Sequence, residues 1–128
     1  MTRLAPPVSR RASRGAAWCA AAVLCVHSLL DGVAIGLAFQ ASHEGGSLVA
    51  IAVLTHDFSD GINTMNIVLK NGGTRRQAMR WLLADAIAPA AGVASTWLFT
   101  LPQVAVGIAL ALFGGFFLYI GASDLIPE

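Results

Sequence analysis

Four stretches of nearly unbroken apolar residues, at about 16–40, 47–69, 80–100 and 103–125, alternate with short polar breaks along the chain. Each is close to the ~20 residues that a helix needs to cross the hydrocarbon core of a bilayer. The breaks are Ala41 to Gly46, where Gly45 and Gly46 act as stop signals, then Asn71-Gly72-Gly73-Thr74, then the neighbourhood of Pro102. With connections this short, the pattern predicts an all-α integral membrane protein, an antiparallel bundle of four transmembrane helices. A tail over 1–15, carrying two prolines and scattered Ser and Arg, reads as flexible and precedes a transmembrane domain over 16–128. Gly32 with Gly36, and Gly107, Gly114, Gly115 and Gly121, offer small surfaces for close helix contact. Pro89 predicts a kink or a freed carbonyl in the third span.

Composition sharpens this picture. Hydrophobic residues make up 56% of the chain and charged ones 12%, against about 25% charged in a soluble domain. So few charges leave a soluble surface unsolvated. A formal net charge of +1 gives no reason to expect a nucleic-acid partner. All eight basic residues fall in two clusters, Arg3, Arg10, Arg11 and Arg14, then Lys70, Arg75, Arg76 and Arg80. Lys and Arg in short loops stay on the cytoplasmic side. Four crossings from a cytoplasmic N-terminus return the second cluster and the C-terminus to that side, so charge and span count agree. The expected location is a bacterial inner membrane or its equivalent, with the lipid bilayer as the surrounding partner. A cleaved secretory signal is the alternative for the N-terminus, but the first apolar stretch runs past Asp31 to Phe39, too long for one. Cys19 and Cys25 lie on different faces of one helix and imply no disulfide.

The candidate chemistry lies in one word written twice, His27-Ser28-Leu29-Leu30-Asp31-Gly32 and His56-Asp57-Phe58-Ser59-Asp60-Gly61. In each copy His and Asp are four apart and share a helix face. Both copies fall near the centre of a span. An ionised Asp at that depth costs about 2.5–3.5 kcal/mol on insertion scales, so several of them call for a cation or water. The first two spans are adjacent and antiparallel, and can present His27, Asp31, His56 and Asp60 to one point. Two imidazoles with two or three carboxylates suit zinc, manganese or iron in the divalent state. Other polar residues are weaker candidates. His43 and Glu44 read as a solvated outer connection, Asp85 as an acid that could line a pathway, and Asp124 and Glu128 as interfacial anchors.

At these residues the chain resembles the ZIP family of divalent metal transporters, from about residue 20 onward. The first span is similar to the family's fourth helix, with its His-Asn-x-x-Glu/Asp-Gly pattern at His27 to Gly32. The second is similar to the fifth, with its His-Glu pair at His56-Asp57 and an acid one turn on at Asp60. The stretches Gly115 to Ile120 and Asp124 to Glu128 resemble the seventh. The resemblance implies an eight-helix fold of which this chain supplies the fourth to seventh, so a second copy or a partner is expected to supply the remainder. It also implies that His27, Asp31, His56 and Asp60 form a transport site, with Asp57 and Ser28 leaning toward a second ion. Departures are Ser28 for Asn, Asp for Glu at 31, 57 and 60, no proline at Phe58-Ser59, and Ala88 where two-metal relatives carry Glu. The expected function is membrane transport of divalent metal ions, zinc first, then iron or manganese. The metal is then the substrate, there is no organic cofactor, and the chain is not an enzyme. Two alternatives compete: a bis-His haem electron carrier, and an intramembrane metalloenzyme in which an acid such as Asp57 activates water.

Overall fold

The computed structural model describes residues 10–125. Arg3 and Glu128 lie outside the described residues, as do the side chains of Arg10, Arg11 and Asp124. The architecture is all-helical: α1 (Arg10–Ala41), α2 (His43–Lys70), α3 (Arg75–Ser95), a 3₁₀ turn (Thr96–Leu98) and α4 (Gln103–Leu125).

Helix boundaries follow from capping. Only Ser42 separates α1 from α2, and its hydroxyl accepts the Gly45 N–H at 3.0 Å. Such a cap satisfies one of the orphan donors of a first turn, and Glu44 in that turn complements the helix dipole. The expected connection at 41–46 is therefore helical from His43, and His43 and Glu44 belong to the start of α2 rather than to a loop. Likewise α1 begins at Arg10, inside the segment read as a flexible tail. The second break is a true turn. Gly72 adopts φ +79°, a region that favours glycine, and the Gly73 N–H donates to the Val68 carbonyl at 2.9 Å. Thr74 then opens α3 with a reciprocal cap, accepting from the Gln77 N–H while its own N–H donates to Gln77 Oε1 at 2.8 Å. Helix α3 runs on through Pro89 to Ser95.

Helix α1 is the hub, packed against α2, α3 and α4. Contacts of α1 with α2 pair Phe39 with Gly46 and His27 with Asp60, so these helices are antiparallel. Contacts with α3 pair Ser28 with Asp85 and Gly32 with Pro89, so that pair is parallel. The α1–α3 crossing is tight. A Cβ at Gly32 would overlap the Pro89 carbonyl, and one at Gly92 would overlap the Leu29 carbonyl. Glycine at both positions lets the two backbones touch. Helix α4 lies along α1, and its Phe117 side chain reaches His56 of α2.

Among the described residues, two helical segments, Arg14–Ala41 and Arg75–Leu98, are long and apolar enough to cross a membrane. The described apolar part of α4, Gln103–Tyr119, is shorter. Helix α2 has the length but carries His56, Asp57, Asp60, Asn63, Thr64 and Asn66 in its middle. Among these, His56, Asp57 and Asp60 belong to the site.

Candidate metal centre

The i to i+4 spacing places His27 above Asp31 on α1 and His56 above Asp60 on α2. Because the two helices run antiparallel, the copies meet head to tail. His27 Nε2 lies 3.6 Å from Asp31 Oδ2 and 3.8 Å from Asp60 Oδ2. His56 Nε2 lies 3.2 Å from Asp31 Oδ2 and 3.7 Å from Asp57 Oδ1. The imidazole centroids are 6.0 Å apart. Among the described residues, two sets of ligand atoms are compact enough to hold an ion, His27 with His56 and Asp60, and Asp31 with His56 and Asp57, each within 4.8 Å of one another.

Burial and satisfaction distinguish these residues from surface acids. Asp31 is fully buried, yet its Oδ1 has no hydrogen-bond partner, and both Asp57 oxygens also lack one. Buried polar atoms are nearly always paired, so three orphaned carboxylate oxygens in one cluster are what a cation would satisfy. The ring of His56 is oriented from behind, its Nδ1 lying 3.3 Å from the Ala52 carbonyl. On its other side the ring's Nε2 lies within hydrogen-bond distance of Asp31 Oδ2, so the imidazole is held between the Ala52 carbonyl and the Asp31 carboxylate.

Two features surround the cluster, one that sequence reasoning missed and one, Asp85, that it named only as an acid able to line a pathway. Phe117 of α4 packs edge-on against His56 at 4.8 Å, and Phe116 against His27 at 5.8 Å, forming an aromatic wall over both imidazoles. Nothing in the spacing of an apolar helix singles these two out. The second feature is Asp85 on α3. It is 4% exposed and accepts from Ser28 Oγ at 2.8 Å and from Thr64 Oγ1 at 3.4 Å. An acid inside an apolar span was the available signal. Ser28 accordingly commits its proton to Asp85 rather than to a member of the His/Asp cluster.

Cavities flank the cluster on both sides. One of 770 Å³ lies between α1, α2 and α3, and Ser28, Asp57 and Asp85 are its polar lining residues. Another of 340 Å³ opens between α1, α2 and α4, lined by His56, Phe113 and Phe117 among others. Neighbours in sequence, His56 and Asp57 thus face different spaces. His43 and Glu44 are exposed at the far end of α2, away from the cluster.

A hairpin of antiparallel helices carrying paired His and Asp at one level, beside a third helix with a buried acid, defines a candidate cation site in an all-helical fold that includes membrane-capable helices. The family described as ZIP Zinc transporter matches residues 6–128, and this chain belongs to it. Its relatives include human zinc transporter ZIP10, 34% identical over 106 residues, covering 80% of this chain and 12% of that protein. Rat metal cation symporter ZIP8 is 33% identical over 112 residues, covering 88% of this chain and 24% of that protein. Human zinc transporter ZIP4 is 30% identical over 102 residues, covering 80% and 16%. The chain therefore spans a quarter or less of these relatives' length. No solved structure matches it significantly.

Proposed function

We propose that this chain forms the ion-conducting part of a multi-pass membrane transporter for divalent metal ions, with zinc as the leading substrate and iron or manganese as further ones. The observation that carries the reading is the convergence of His27, Asp31, His56 and Asp60 from two antiparallel helices, with orphaned buried oxygens on Asp31 and Asp57. Membership of a zinc transporter family supports the same conclusion. On this reading all four helices cross the bilayer as an antiparallel bundle within a larger transporter, the cluster sits near the midplane, and the basic ends face the cytoplasm. The strongly exposed apolar side chains Val23, Ile51, Leu54, Leu83, Val104 and Leu112 then meet lipid or neighbouring helices. A mixed nitrogen and oxygen ligand set suits borderline divalent ions and disfavours copper(I). A haem between the imidazoles fits poorly, since Asp31 Oδ2 lies 3.6 and 3.2 Å from the two Nε2 atoms, inside the space a porphyrin ring would need.

The test is zinc, iron and manganese content of the detergent-purified chain, beside a variant carrying His27→Ala and Asp60→Ala, followed by zinc flux into proteoliposomes. Stoichiometric metal in the first and its loss in the second is the expected result. Metal-free protein after equilibration with zinc overturns the reading, and binding without flux reduces it to a binding module.

A further inference from the structure

The hydrogen bonds of Asp85 join α1, α2 and α3 at one level, and the inference below rests on the metal-handling reading just given. A serine hydroxyl has one proton and two lone pairs. Inside a helix its usual partner is the carbonyl four residues back, which for Ser28 is Leu24. Here the proton crosses to α3 instead, donated to Asp85 Oδ1 at 2.8 Å. Thr64 donates to the other carboxylate oxygen from α2. With its proton committed, Ser28 Oγ can act only as an acceptor.

Where that oxygen sits gives the bond a consequence. Ser28 precedes Asp31 by three residues and so lies on a neighbouring part of the same face. It also lines the 770 Å³ cavity with Asp57, whose oxygens have no hydrogen-bond partner. We propose that Asp85 is a positioning residue for the transported ion: by holding the hydroxyl proton of Ser28, it aims the Ser28 lone pairs at a divalent cation bound between Asp31 and Asp57. Asp85 acts through Ser28, as an outer carboxylate does when it orients a metal ligand. Without it the Ser28 hydroxyl falls back on the Leu24 carbonyl and leaves the cavity.

A double-mutant cycle on the full chain in detergent micelles separates this role from a merely structural one. The readout is zinc affinity by competition with a chromogenic chelator. Asp85→Ala is expected to weaken zinc binding about tenfold or more, and in a Ser28→Ala background the same change is expected to alter affinity by less than about twofold. Asp85→Asn keeps an acceptor for Ser28 and should bind zinc nearly as the parent does. Equal losses in both backgrounds, or an Asn variant as weak as the Ala variant, overturn the assignment. Should Asp85→Ala not fold, Ser28→Ala alone carries the test: it must show the tenfold loss, and unchanged affinity refutes the proposal. Absence of zinc binding in the parent chain overturns the metal-handling reading itself, an outcome distinct from any of these.

Discussion

Replacing Gly92 by Ala probes the tight crossing of α1 and α3. A Cβ there would lie 2.8 Å from Val33 N and 2.9 Å from Gly32 Cα, and closer still to the Leu29 carbonyl oxygen. All three neighbours are backbone, so no side chain can rotate away. Restoring ordinary contact distances of about 3.5 Å or more requires α1 and α3 to separate by roughly 1 Å. The Ser28–Asp85 hydrogen bond, 2.8 Å long, then stretches beyond useful length. Overpacking of this kind costs about 1–3 kcal/mol, and a lost interhelical hydrogen bond in a membrane protein adds about 0.6 kcal/mol. The sum of about 2–4 kcal/mol corresponds to a roughly thirty- to several-hundred-fold fall in the folded-to-unfolded ratio. Reversible unfolding in mixed micelles, followed by helical circular dichroism, measures it. Gly107→Ala is the control, because nothing lies within 4 Å of a Cβ at that position, and its expected effect is neutral or stabilising by up to about 1 kcal/mol. Equal stability of the two variants would refute the backbone-contact argument.

Within the cluster, Asp31→Asn should weaken zinc binding more than Asp60→Asn, since Asp31 Oδ2 lies near both imidazoles and Asp60 near that of His27; the same chelator competition ranks the two, and the reverse order contradicts the geometry. Phe117→Ala should loosen the ring of His56 and lower zinc affinity with helix content unchanged, measured by binding and circular dichroism together. Ser42→Ala removes the cap of α2 and should destabilise the chain by about 1 kcal/mol, read from the unfolding midpoint, with zinc affinity unaffected. Single cysteines at Asn71 and Thr100, in a chain lacking Cys19 and Cys25, should react with impermeant reagent from opposite sides of a sealed vesicle, the Asn71 side being cytoplasmic; labelling of both from one side contradicts four crossings.

Much of the geometry of the candidate cluster was legible because its signals are local. The repeated His-x-x-x-Asp-Gly word needs only the 3.6-residue helical period to place each His over its Asp, and a short connection to bring the two copies together. The helical class followed equally from unbroken apolar stretches between glycine-rich breaks, a pattern set by backbone hydrogen bonding rather than by partners. Helix ends were less legible. Gly45 and Gly46 read as a loop, but the Ser42 cap draws them into α2, and Gly46 serves to admit the ring of Phe39. Contacts distant in sequence were decided by the tertiary structure alone. Pairing of Ser28 with Asp85 across 57 positions depends on α1 and α3 lying parallel at backbone contact, which no periodicity within either helix encodes. The same holds for Phe117 over His56: Phe113, Phe116 and Phe117 have the same chemistry, and only packing selects which one stands edge-on to that imidazole. Residue chemistry and short-range spacing thus determined which groups the candidate cluster draws together, while the crossing of the helices decided which groups surround it.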